Sequence, residues 1–308
     1  VIVAAPPSVH LPDVLDRARG ALLGLALGDA LGATVEFLTP GEIRAAHGVH
    51  RDLTGGGWLR LKPGAVTDDT EMALALAQAI DRAGGFDLRG VADGFAAWLK
   101  GRPTDVGGSC RAGIRRYLLE GTLQGRPGAW DAGNGAAMRV APVALLTLGD
   151  DEGAARLSLE QARITHHHVL SDAGTVLVTR LVQLAVLGRS MRQLQRVAAE
   201  AVALEPRFAW SPYRGQASGY IVETIQTVLH ALFSTRSFEE CLVAVVNLGG
   251  DADTTGAIAG AIAGAYYGPE ELPIRWLKKL DGGLRAELER LALRLVGLSP
   301  VGRGGCLR

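Results

Sequence analysis

This chain has no surplus of charge and little cysteine, and those two shortages remove whole classes of function. Its 308 residues carry 32 Lys+Arg against 32 Asp+Glu, a formal net charge of zero. Neither sign is in excess to gather a polyanion or to steer ligands over long range, so nucleic acid is not an expected partner. Cys110, Cys241 and Cys306 are widely spaced, odd in number and lack a CxxC pair. That excludes a disulfide framework and a zinc ribbon, and it fits a reducing cytoplasm. No low-complexity tract, internal repeat or interdomain linker is present. The apolar stretch Ala21 to Val35 is broken by Asp29, and Thr254 to Tyr267 is too short for the ~20 residues of a spanning helix, so no transmembrane segment is expected. The opening Val1-Ile2-Val3-Ala4-Ala5-Pro6-Pro7 has no basic n-region and does not read as a secretory signal. Residues 1–12 are expected to form a loose tail ahead of one domain over residues 13–308.

What the chain does have is hydrophobic content, 48% against 21% charge, enough to bury a substantial core. Apolar residues recur at helical spacing while apolar-polar alternation is nearly absent, which predicts an all-α fold. Helices are expected from Val14–Gly32 through to Leu284–Leu298, among them Ala136–Leu148, Leu157–Ile164 and Thr254–Tyr267. In Thr254–Tyr267, Gly256, Gly260 and Gly264 recur every four residues and line one face with hydrogen atoms. Each costs ~0.5–1 kcal/mol relative to Ala, so the pattern predicts a second helix packed unusually closely against it.

Two acidic clusters lie far apart. Thr67-Asp68-Asp69-Thr70-Glu71 precedes one helix, and Gly249-Gly250-Asp251-Ala252-Asp253-Thr254-Thr255 precedes another. For the first, an N-cap at Thr67 with acids in a first turn is account enough, because the helix dipole favours negative charge there. The second resists that account. Gly249-Gly250 lets the backbone turn while Asp251 and Asp253 present oxygens to one point, with the Thr254 and Thr255 hydroxyls adding more. An all-oxygen set suits Mg²⁺ or Mn²⁺ better than Zn²⁺ or Cu²⁺, and no EF-hand loop is present. If both clusters build one site, the fold must close on itself.

The runs GDALGATVEF (28–37), GGGWLRLKPGAVTDDTEM (55–72), GNGAAMR (133–139), QARITHHH (161–168) and NLGGDADTTGAIAGAIAGAYYG (247–268) resemble, in order and register, the ADP-ribosylglycohydrolase family. The resemblance implies a compact single-domain orthogonal helical bundle and a centre of two divalent ions, Mn²⁺ or Mg²⁺, held by Thr67, Asp68, Asp69, Asp251, Asp253 and Thr254. It implies catalytic roles for Asp105 and Glu36. Gly133, Asn134, Gly135, Met138 and Arg139 would line the ribose and diphosphate region, His166 would reach a polar ligand group, and Tyr220 would stack on adenine. The likeness is strongest to members that remove ADP-ribose from an arginine of dinitrogenase reductase, the nitrogenase iron protein. They imply as partners that modified protein and a PII-type signalling protein, and through the latter a membrane ammonium channel and regulated peripheral membrane association.

Plainer readings stand beside these. Asp105 could cap the helix near Ser109, Glu36 could be a surface acid, Tyr220 could be a core aromatic, and His167 suits a solvated or capping role. Other family members act on serine-linked, nucleic-acid-linked or O-acetyl-ADP-ribose, and some crystallins keep the scaffold without the chemistry. Gly108 stands where the nearest relatives carry Asn, and Val169 where they carry Pro.

Overall fold

Two helices notched with glycine set the architecture. The computed structural model describes residues 10–128, 131–213 and 215–304. Its helices are α1 (Leu11–Gly32), α2 (Pro40–His47), α3 (Asp68–Ala83), α4 (Leu88–Lys100), α5 (Gly108–Glu120), α6 (Ala141–Leu146), α7 (Asp151–Ala162), α8 (Val169–Val186), α9 (Met191–Leu204), α10 (Ile221–Ser234), α11 (Phe238–Val246), α12 (Ala252–Tyr267), α13 (Ile274–Leu277) and α14 (Gly282–Leu298). Among the described residues there is no β-strand, only isolated bridges pairing Gly56 with Leu61 and Gly133 with Tyr220. The fold is the expected all-α one.

The predicted partner of the glycine face is α1, which carries its own stripe of Gly20, Gly24, Gly28 and Gly32. A Cβ added at Gly24 would sit 2.2 Å from the Gly260 carbonyl oxygen, and one at Gly28 1.9 Å from that of Gly256. Backbone therefore meets backbone along the whole pair, which has the most extensive contact of any two helices here. Residues 252–265 of α12 are all buried, as is α1 from Gly20 to its end. The two run through the centre, and α3, α8, α10, α11 and α14 pack around them.

Several predicted boundaries are corrected. The helix expected over Ala136–Leu148 is only α6, because Pro142 sits at its start and residues 133–139 form turns that face the site. The helix expected over Leu157–Ile164 begins six residues earlier, where the Asp150 side chain accepts from Gly153 N–H and caps it. Helix α2 was not anticipated, although Thr39 and Glu42 form a capping box at its start. Helix α8 is long and apolar enough to cross a membrane by length and composition, but 67% of its apolar window is buried inside the fold, so its apolarity serves the core. The tail expected over residues 1–12 lies largely outside the described residues; Leu11 and Pro12 open α1. Cys306 also lies outside them.

Candidate active site

The glycine pairing delivers the C-terminal end of α1 to the N-terminal end of α12, and the acidic clusters meet there. The loop before α12 can follow this path only with glycine: Gly249 and Gly250 have φ of +72° and +66°, and a Cβ on either would lie 2.1 Å from Leu38 O or 1.7 Å from Ala217 O. In this shape Phe37 N–H donates to Gly250 O at 2.6 Å, and Gly250 N–H to Leu38 O at 2.9 Å. The segment after α1 is thereby clipped to the start of α12. Carboxylate oxygens of Glu36, Asp251 and Asp253 come within 4.8 Å of one another. Glu36 is thus no plain surface acid; it belongs to the tightest group, where it can offer an oxygen to a cation.

The first cluster arrives on α3, held by a residue that sequence reasoning passed over. Asp29, fully buried near the end of α1, accepts from Thr67 N–H at 3.0 Å, Thr67 Oγ1–H at 2.9 Å and Thr70 N–H at 3.1 Å, and from the Thr70 hydroxyl. Thr67 occupies the N-cap position but makes no side-chain cap. The Asp29 carboxylate satisfies those amides from another helix, and the single Thr67 hydroxyl proton is shared between Asp29 and Asp69 Oδ2, which lies 3.1 Å away. The signal was in the sequence: Asp29 was the one charge interrupting an apolar run.

The electrostatics are those of an anionic cage. Burial, and after it the charge of Asp105, pushes Asp68 up to about 7, while Gly107 N–H, 3.1 Å from Oδ2, works the other way. Burial and then the charges of Asp29, Asp68 and Asp251 hold Asp69 well above the usual carboxylate range. Asp253 is raised in the same way by burial and by Asp69, Asp251 and Glu36. Glu36 reaches about 8, driven first by burial, although Trp58 Nε1–H donates to its Oε2 at 2.5 Å. Asp69 Oδ1 is buried with no hydrogen-bond partner. Buried, mutually repelling carboxylates with an orphaned oxygen fit divalent cations, which would remove the repulsion and fill the vacant coordination. Thr254 is buried beside them and lines the same cavity. Thr255 does not contribute: its Oγ1 donates to the Asp251 and Ala252 carbonyls.

A cavity of about 940 Å³ opens over this cage, large enough for a nucleotide-sized ligand. Asp105 lines it without capping α5, whose N-cap is Gly107. Its Oδ1 accepts from Val106 N–H at 2.7 Å, and burial, then the charge of Asp251, raises its pKa. On another wall, Gly133-Asn134-Gly135 lies across the His166 ring, where a Cβ at Gly135 would meet Cε1 at 2.8 Å. Burial, then Arg139, drives His166 down to about 3, so the ring is neutral, and its Nδ1 pairs with Thr165 Oγ1 at 2.8 Å. Asn134 spans the two regions, donating to Asp251 Oδ2 at 2.6 Å and Thr224 Oγ1 at 2.9 Å. Met138 completes that wall.

One expected ligand contact is corrected. Arg139 does not line the cavity; its guanidinium is fully buried, bonded to Gln161 and Thr165 and set over the Phe95 ring. Tyr220 stands at the N-cap of α10, 37% exposed, bridged to Gly133 and next to Ser218 and Gly219, which line the cavity. Tyr213 also lines the cavity on that side, stacked on His230 with centroids 4.5 Å apart. His167 bonds the Gly125 carbonyl, and the capping histidine is His168, which accepts from Leu170 N–H. Gly108 lines the cavity with open space around an added Cβ; Val169 is exposed at the start of α8.

Against known proteins, the family profile for ADP-ribosylglycohydrolases matches residues 10–304. The chain is 53% identical to the ADP-ribosyl-[dinitrogen reductase] glycohydrolase of Rhodospirillum rubrum, over 95% of this chain and 98% of that one. It is 33% identical to an ADP-ribosylarginine hydrolase of Pseudomonas putida, over 93% of this chain and 79% of the relative. Among solved structures, an ADP-ribosylglycohydrolase-related protein complex superposes with a TM-score of 0.81 at 35% identity, over 93% of this chain and 99% of that one.

Proposed function

The chain belongs to the ADP-ribosylglycohydrolase family, and from that premise we propose that it hydrolyses the bond between ADP-ribose and a modified arginine of dinitrogenase reductase, which would return nitrogenase to activity. The observation that carries the chemistry is the meeting of Glu36, Asp251 and Asp253 within 4.8 Å, beside Asp68 and Asp105 on one cavity wall. Near-complete coverage at 53% identity to the Rhodospirillum rubrum glycohydrolase supports the substrate.

Two divalent ions, Mn²⁺ or Mg²⁺, would be held by Thr67, Asp68, Asp69, Asp251, Asp253 and Thr254, with Glu36 within reach. Bound there, they would grip the ribose hydroxyls and lower the pKa of a water. The protein's own groups supply the rest. Cleavage breaks the bond from ribose C1 to the guanidino nitrogen, adds a water oxygen at C1 and returns a proton to the departing guanidine, with positive charge building on the sugar between. Trp58 occupies Oε2 of Glu36, which leaves Oε1 for a proton or a cation in the cavity that Glu36 lines. Asp105 has a free Oδ2 facing the same cavity. One can release a proton and the other accept one. Asn134 fixes the orientation of Asp251, and the neutral His166 ring under Gly133 and Gly135 gives the sugar wall a flat polar floor.

Control by a PII-type signalling protein, and through it by a membrane ammonium channel, belongs to the same reading and rests on the family resemblance. It implies a cytoplasmic protein with regulated peripheral membrane association. The test is release of ADP-ribose from modified dinitrogenase reductase, in chelator and after Mn²⁺ is restored. Release should stop and resume; full turnover in chelator would contradict the metal assignment, and no release with metal present would contradict the substrate.

A further inference from the structure

Phe37 and Trp58 stand out among the described aromatics, most of which are buried or half-buried. They are 64% and 53% exposed, both line the cavity, and their ring centroids lie 5.5 Å apart at 45°. A tilt of that size leaves faces of both rings open. Phe37 also has φ of +64°, a conformation that a bulky residue adopts only under constraint. Exposed rings on a strained backbone gain little for stability, which turns attention to what they meet.

Their position is particular. Trp58 follows Gly55, Gly56 and Gly57, all at positive φ, and its indole N–H is tied to Glu36. Phe37 is the next residue after Glu36 in the chain. Both rings thus flank the Glu36 carboxylate, whereas the His166, Gly133 and Gly135 wall lies on the Asn134 side of the cage. Among the described residues, the cavity walls include Glu36, Asp68, Asp105, Asp251 and Asp253 but no Lys or Arg. A planar cation suits such a mouth: the carboxylates attract it, and aromatic faces stack on guanidinium through the ring quadrupole.

Building on the proposed arginine linkage, we propose that Phe37 and Trp58 form the subsite for the leaving group, holding the guanidinium of the modified arginine and favouring it over a neutral leaving group such as a serine hydroxyl. The aromatic pair is then a specificity determinant, separate from the groups that move protons.

The experiment compares the wild type, Phe37→Ala and Phe37→Tyr on an ADP-ribosylarginine peptide and an ADP-ribosylserine peptide, with ADP-ribose affinity measured by calorimetry. Phe37→Ala should lower kcat/KM on the arginine conjugate about tenfold more than on the serine conjugate, mainly through KM, and Phe37→Tyr should restore most of the difference. An equal loss on both conjugates, a matching fall in ADP-ribose affinity, or no rescue by tyrosine would overturn the subsite. The wild-type rate on the arginine conjugate tests the arginine linkage by itself; the ratio of variant to wild type on the two conjugates tests the aromatic pair.

Discussion

The body of α12 and its first turn are one continuous helix under opposite physical conditions. From Gly256 to Gly264 it lies against α1 with backbone on backbone and no charged group between them. One turn earlier, Asp253 is buried among Asp69, Asp251 and Glu36, each of which raises the cost of ionising it. The contrast teaches how the site is held. Like charges gathered in the interior would move apart on a compliant scaffold, so they are mounted at the end of the stiffest contact in the molecule, where neither helix has a side chain that can repack. The zipper supplies the rigidity, and the carboxylates spend it on a site that is complete only with cations.

The sharpest way to break this comparison is to put a methyl into the zipper. In Gly260→Ala the new Cβ would stand 2.0 Å from the Gly24 carbonyl oxygen, and no flexible side chain can yield. Stability should fall by about 3 kcal/mol or more, and Mn²⁺ affinity should fall with it because α1 and α12 part. Urea unfolding and calorimetry would check both; a variant within about 1 kcal/mol of wild type would mean the contact is softer than its geometry. A smaller effect is expected at the cluster's own support. Asp29→Asn keeps the shape but aims an NH₂ group at amides and hydroxyls that donate to Asp29 now. A loss of about 2–3 kcal/mol should follow, with weaker Mn²⁺ binding as the Thr67 to Thr70 turn loses its anchor. Unchanged Mn²⁺ affinity would reduce Asp29 to a core residue.

The same two regions explain what was legible in the chain. Gly256, Gly260 and Gly264 announced a close helix contact because a repeat of four has few other uses, yet the matching stripe in α1 went unremarked, its glycines lost among alanines and leucines. The aspartates of both clusters were visible as charges beside helix starts, and family resemblance supplied Glu36 and Asp105. What local pattern could not reveal was direction. Thr67 and Thr255 both read as oxygen donors, but the Thr67 hydroxyl bonds Asp29 and Asp69 while that of Thr255 folds back on its own helix. Arg139 sits in a motif whose neighbours line the cavity, and its side chain goes the other way, into Gln161 and Thr165. For Thr67 and Arg139 the deciding partners, Asp29, Gln161 and Thr165, lie tens of residues away, and no periodicity encodes them.

The mildest test uses pH, since the buried groups that titrate, Asp29 of α1 included, gather at the cage end of the pair. In the metal-free protein Glu36 is raised to about 8 and Asp68 to about 7, well above the pKa of about 4 expected in the unfolded chain. Between these values the folded state binds protons that the unfolded state has released, so stability must rise as pH falls from 8.5 to 7. The gain should be on the order of 1–2 kcal/mol over that interval. Below about 6.5 the slope is reduced but keeps its sign, because His166, held down to about 3 by burial, stays neutral while its unfolded counterpart takes a proton, and Glu36 and Asp68 remain protonated only in the fold. Chelated protein should therefore go on gaining stability, more slowly, down to about pH 5, where the unfolded carboxylates begin to take up protons as well. With saturating Mn²⁺ the cations replace the protons, and the gain between pH 8.5 and 7 should vanish. If urea titrations of the chelated protein instead gave greater stability at pH 8.5 than at 7, the carboxylates would not be crowded as described, and the contrast between the two ends of α12 would fail.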